Sequence, residues 1–118
     1  AMMLAGPKGM PEAVVKKIRG KKGMRFRYTR HAVQRMAERG LGVEKVEDII
    51  QSGTIIARYE DDRPFPSCLI LGFDTGKPWH IVYSAEGSGP DAVVHVVTVY
   101  QPDPLEWNDT FTERKART

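Results

Sequence analysis

Thr29-Arg30-His31-Ala32-Val33-Gln34-Arg35-Met36-Ala37-Glu38-Arg39-Gly40 is the stretch on which the fold turns. It reads as one short helix. The Thr29 hydroxyl can accept from the free backbone N–H groups of a first turn. Gly40 can enter the left-handed conformation that ends a helix without the steric cost of a Cβ. Between them, Ala32, Val33, Met36 and Ala37 recur at helical spacing as an apolar stripe. His31, Arg35 and Arg39 stand four apart on a neighbouring face. Arginines so placed repel mildly, so the row makes sense opposite an anion, either a carboxylate on another element or a phosphate. His31 is the side chain of that row able to move a proton near neutral pH. One proton-transfer group beside fixed guanidinium groups suits phosphodiester cleavage, where negative charge builds up in the transition state. The competing reading is a plain solvated Arg/Glu face.

Downstream, Val43–Ser52 reads as a second helix, with Val43, Val46, Ile49 and Ile50 on its apolar side, Glu44 in its first turn and Gly53 closing it. From Gly53 the period changes from helical to alternating. Thr54–Tyr59, Ser67–Phe73, Pro78–Ser84 and Ala92–Tyr100 read as strands, separated by turn chemistry at Glu60–Pro64, Asp74–Lys77 and Glu86–Asp91. The last strand is the most apolar and is expected to be central. Pro102 and Pro104 stop it, and Leu105–Trp107 is expected to fold back as a cap.

Upstream, Arg25–Tyr28 alternates and reads as either a short strand or an extended lead-in. Before it come a basic turn, Gly20–Gly23, and a short helix, Pro11–Arg19. The organisation expected is a basic arm over 1–23, one domain over 24–108 and a polar tail over 109–118. The fold class is α+β, with two to three N-terminal helices packed on one face of a four-stranded antiparallel sheet. The other face is left for solvent or a ligand.

Strand alternation supplies a second group of candidates. In the third strand His80, Val82 and Ser84 share a face. In the fourth, strict alternation puts Val94, Val96, Thr98 and Tyr100 on one face and Val93, His95, Val97 and Val99 on the other. His80 is either a second acid/base group or a half-buried histidine held by a neighbouring backbone. Tyr100 either contacts phosphate or a base, or closes the core at the sheet edge. His95 and Trp107 read as structural.

The chain has 118 residues, enough for one modest core. Its net charge of +3 hides a split: residues 1–40 hold eleven Lys/Arg against two acids, and residues 41–118 hold seven against thirteen. Such asymmetry suits a polyanion-binding front end or pairing of one half with the other. Lys21 and Lys22, with their basic neighbours, are candidate phosphate contacts without sequence readout. Cys68 is the lone cysteine, so no intrachain disulfide can form, and a reducing cytoplasm is the expected setting. No run approaches the ~18 apolar residues of a membrane span. No two of His31, Cys68, His80 and His95 form a local ligand pair, so no metal site is expected. There is no P-loop, dinucleotide fingerprint or nucleophile elbow, so no cofactor is expected either.

The run Tyr28-Thr29-Arg30-His31-Ala32, then Arg35-Met36, then Glu38-Arg39-Gly40, resembles the opening signature of domain-of-unknown-function family 4258 (DUF4258). The likeness continues through Gly53, Ile55–Tyr59, Leu69–Gly72, His80-Ile81-Val82 and Val97–Pro102, and covers about residues 26–108. The family's layout is similar to the RelE/ParE-like toxin fold, a branch of a wider group of small metal-independent ribonucleases. The resemblance implies a toxin-type endoribonuclease acting on RNA, free or ribosome-bound, with an antitoxin-like protein as partner. It matches His31, Arg35 and Arg39 to the signature helix, and His80, Thr98 and Tyr100 to recurrent strand positions.

On this reading the ribose 2′-OH attacks the adjacent phosphorus. His31 and His80 share the proton transfers, Arg35 and Arg39 hold the phosphate, and Thr98 and Tyr100 help bind substrate. The reading from a different class is a non-catalytic binding module that contacts a protein or nucleic acid.

Overall fold

The computed structural model describes residues 25–87 and 91–116. The expected helix Pro11–Arg19, the basic turn with Lys21 and Lys22, and the middle of the Glu86–Asp91 loop lie outside the described residues. The order is β1 (Arg25–Tyr28), α1 (Arg30–Arg39), α2 (Val43–Ser52), β2 (Thr54–Tyr59), β3 (Ser67–Asp74), β4 (Lys77–Glu86) and β5 (Val93–Tyr100).

The architecture is α+β, with α1 lying over β5 and β1, and α2 lying over β3. The sheet corrects the expectation in one respect. It has five strands in the order β1-β5-β4-β3-β2, not four, and it is mixed, because β1 pairs parallel to β5. The reason lies in the alternation of Arg25–Tyr28. Phe26 and Tyr28 pack against the core beside Val94 and Val96, while Arg25 and Arg27 stay exposed. The addition makes β5 an interior strand, as its apolar composition requires, and puts β4 at the centre.

The helix caps do what their residue types suggest. The Thr29 hydroxyl accepts from the Ala32 N–H at 3.0 Å. Gly40, at φ 74°, is left-handed and donates its N–H to the Met36 carbonyl. The apolar stripe of α1 is narrower than its spacing implies. Ala32 and Met36 are buried, but Val33 is 52% exposed and Ala37 also faces solvent. The helix sits towards the β1 edge of the sheet, so one row of side chains suffices to cover it. In α2, Val46, Ile49 and Ile50 are buried, each contributing about 1.5–3 kcal/mol for the apolar surface removed from water. Ile49 rests directly on β3 at Gly72, where a Cβ would come within 2.5 Å of it. Glu47 accepts from the Tyr28 hydroxyl at 3.1 Å and ties β1 to α2.

The two-residue turn between β3 and β4 has positive φ at Thr75 (51°) and Gly76 (82°), which matches the right-handed twist of the hairpin. Two strands carry an extra, unpaired residue. In β2, Ile55 pairs with Ile70 and Ala57 with Leu69, so Ile56 is skipped. In β5, Val96 pairs with Tyr83 and Thr98 with Val82, so Val97 is skipped. This second bulge corrects the face assignment. Val94, Val96 and Val99 face the helices, while His95, Thr98 and Tyr100 share the opposite face with His80, Val82 and Ser84.

After β5 the chain turns back as a strap. Trp107, 7% exposed, forms an isolated bridge with Arg114, and the Asn108 side chain accepts from the backbone N–H of Thr112. The strap covers the His80 end of the sheet face away from the helices. Leu105, expected to cap the sheet with Trp107, is 82% exposed.

Candidate functional site

The residues singled out in the sequence fall into two places on opposite sides of the sheet. His31, Arg35 and Arg39 lie on the outer surface of α1, all exposed. Arg35 pairs with Glu38 at 3.4 Å, but both side chains are 47% exposed. Such a surface pair between positions three apart is worth only about 0.2–0.5 kcal/mol. The side chains of Arg30, His31 and Arg39 have no hydrogen-bond or ion-pair partner among the described residues. With Arg25 and Arg27 on β1, residues 25–39 hold five arginines against the one acid, Glu38.

His80 lies across the sheet from this row, so His31 and His80 do not form one site. It is fully buried. Its Nε2 is 2.8 Å from the Phe111 carbonyl, which can only accept, so Nε2 carries the proton. The Tyr100 hydroxyl then donates to Nδ1 at 3.1 Å. The Trp107 ring meets the imidazole edge-on at 4.4 Å. Both nitrogens are satisfied in the neutral form. Burial lowers the imidazole pKa below its ordinary 6.5, the Phe111 carbonyl opposes this in part, and the Arg114 charge adds to the lowering. Tyr100 is half-buried, and burial raises its phenol pKa. Thr98, also half-buried, stands on the same face opposite Val82. Lys21 and Lys22 lie outside the described residues.

The rest of that face is open. Between the strap-covered end and the β2–β3 loop lies a cleft of about 270 Å³, lined by Asp62, Arg63, Phe65, Ser67, Ser84 and His95, among others. Ser67 donates to the Asp62 carboxylate, which holds the loop over the strand. Phe65 stacks on His95 with ring centroids 6.0 Å apart and planes 11° off parallel. His95 Nε2 meets Glu86 Oε1 at 3.0 Å. Arg27 is the lateral neighbour of His95 across the β1–β5 pairing, on the same face.

From the sequence alone His95 reads as structural, and nothing in it singles out Phe65 or Glu86. The alternating pattern of β5 did carry one signal, since His95 is its lone histidine and interrupts a run of valines. Cys68 is not part of this chemistry. Its thiol is buried against the helices, and burial pushes its pKa up to about 12, far from a reactive thiolate. Among the described residues, no three His, Cys, Asp or Glu side chains gather as a metal-binding group. No helix among them is long and apolar enough to cross a membrane.

A family model described as Domain of unknown function (DUF4258) matches residues 28–104, more than half of the chain. The chain belongs to that family. The DUF4258 match takes in both helices and β2 to β5, hence the whole α1 row, His80 and His95. It stops short of most of β1 and of the strap, so Arg25, Arg27, Trp107 and Phe111 lie outside the shared region. No curated protein and no solved structure matches the chain.

Proposed function

We propose that this DUF4258 domain is a toxin-type endoribonuclease that cleaves RNA through its own side chains, without a metal or cofactor. The observation that carries the reading is the exposed positive charge of α1. Arg30, His31, Arg35 and Arg39 stand exposed on it with Glu38 as the one acid of that helix, whose single ion pair is weak, while Arg25 and Arg27 add exposed charge along the β1 edge on the face away from the helices. Like-charged side chains held on rigid elements cost stability unless an anion neutralises them, and a polyanion neutralises several at once. Arg35 and Arg39 are assigned to phosphate, and His31 to the same strand of RNA. The order of two helices followed by an antiparallel meander is similar to that of RelE/ParE toxins, which supports the reading by analogy only. An antitoxin-like protein is the partner that this analogy adds.

The second reading, a binding module without catalysis, is favoured by His80, whose two ring nitrogens and burial leave it no access to substrate. RNA binding tests the proposal. Affinity for a single-stranded oligoribonucleotide should fall steeply as salt rises, and Arg35→Ala with Arg39→Ala should flatten that slope by about one unit per lost phosphate contact. Absence of RNA affinity at low salt would reject the proposal and favour a protein partner.

A further inference from the structure

The three histidines differ in what their ring nitrogens do. His80 has both occupied and no exposure. His31 is exposed, with nothing to orient it among the described residues. His95 is intermediate. Its Nε2 is held by Glu86 at 3.0 Å, and its Nδ1 has no hydrogen-bond partner among the described residues. Its side chain is 27% exposed and lines the cleft on the open sheet face. A carboxylate accepts, so Nε2 carries the proton and Nδ1 keeps its lone pair. An imidazole oriented by a carboxylate on one nitrogen and free on the other is the arrangement a general base requires.

We propose that His95 is the proton-transfer group of the RNA cleavage, positioned by Glu86, and that the cleft holds one ribonucleotide with its base on Phe65. This rests on the ribonuclease reading and names the catalytic histidine within it. The surroundings fit a nucleotide. Phe65 offers an aromatic face, Ser84 offers a hydroxyl, and Arg27 and Arg63 offer cations for a phosphate at the rim. Nδ1 takes the proton of the 2′-OH as O2′ bonds to phosphorus and the P–O5′ bond breaks. The leaving O5′ takes a proton from water, and the imidazolium returns its own proton to the hydroxide so formed. No water is consumed, and the product ends in a 2′,3′-cyclic phosphate. Glu86 steadies the imidazolium while it exists.

The test uses the full chain with excess chelator and a mixed-sequence oligoribonucleotide, comparing the parent with His95→Gln and Glu86→Gln. His95→Gln should lose ~100-fold or more in kcat, with RNA affinity within about twofold. Glu86→Gln should lose ~10-fold in kcat with KM unchanged, and Glu86→Asp should recover part of it. Unchanged kcat in His95→Gln beside an active parent overturns this inference and leaves the ribonuclease reading standing. A parent that neither binds nor cleaves RNA overturns the reading beneath it. In case His95→Gln fails to fold, a second measurement uses the parent alone. A ribonucleoside 3′-monophosphate titrated against it should move the His95 ring resonances and leave those of His80 in place. Shifts that spare His95 overturn the proposal.

Discussion

The Thr29 hydroxyl donates to the Val97 carbonyl at 2.7 Å, across 68 residues of sequence, while the same oxygen accepts from the Ala32 N–H. One side chain thus starts α1 and holds the carbonyl of the residue that β5 leaves unpaired. The Thr29 N–H adds a bond to the Val96 carbonyl at 3.1 Å. The bulge decides which way Thr98 and Tyr100 face, so the cap and the open sheet face are linked. Thr29→Ala should cost about 1–2 kcal/mol and Thr29→Ser much less, read from denaturant midpoints. Equal losses in the two variants would show that the hydroxyl is not what matters.

His80 makes stability depend on pH with a definite sign. Its folded pKa lies below the ordinary 6.5, so on acidification the unfolded chain takes up the proton first. The contribution is complete above about pH 6.5 and is lost as the pH falls from there through the lowered folded value. Melting temperatures at pH 7.5 and 5.5 should therefore diverge in the parent, and the gap should shrink in His80→Gln. Tyr100→Phe leaves Nδ1 without its donor and should destabilise by about 1–3 kcal/mol at pH 7.5.

The strap is part of the folded domain. Trp107 packs edge-on to His80, and the Arg114 guanidinium lies 4.9 Å over its ring. Trp107→Ala should cost about 3–5 kcal/mol, the range for emptying a buried aromatic site. Arg114→Ala, with both partners of the Arg114–Glu106 pair more than half exposed, should cost well under about 1 kcal/mol. Urea melts of the two variants check the contrast.

Gly72 sets how closely α2 approaches β3. A methyl group there would meet Ile49 at 2.5 Å, so Gly72→Ala should destabilise by about 1–3 kcal/mol. Combining it with Ile49→Val should recover part of the loss, because the crowded atoms belong to that side chain. Additive losses in the double variant would mean that the strain falls elsewhere.

Much of this was legible in the chain, for reasons that differ by element. Thr29 and Gly40 bound α1 by their own chemistry, and the change from helical to alternating spacing at Gly53 marks the start of the meander. The parallel pairing of β1 was not legible. Four alternating residues say that a strand can form there, but nothing in them chooses a partner 68 residues away. The bulge at Val97 was invisible because Val96, Val97 and Val99 are chemically alike, so alternation read through it and turned Thr98 and Tyr100 to the wrong face. That single inserted residue also hid the grouping of Tyr100 with His80. The cleft escaped because its wall is the β2–β3 loop, whose Phe65 reaches His95 only through tertiary packing.

The most direct test of the ribonuclease reading is cleavage of single-stranded RNA by the purified full chain in excess chelator, with product ends identified. The expected result is cleavage that survives chelation and leaves 2′,3′-cyclic phosphate ends, weakened when Arg35 and Arg39 are both replaced by alanine. Cleavage that stops on chelation, or RNA left intact and unbound at low salt, would contradict it.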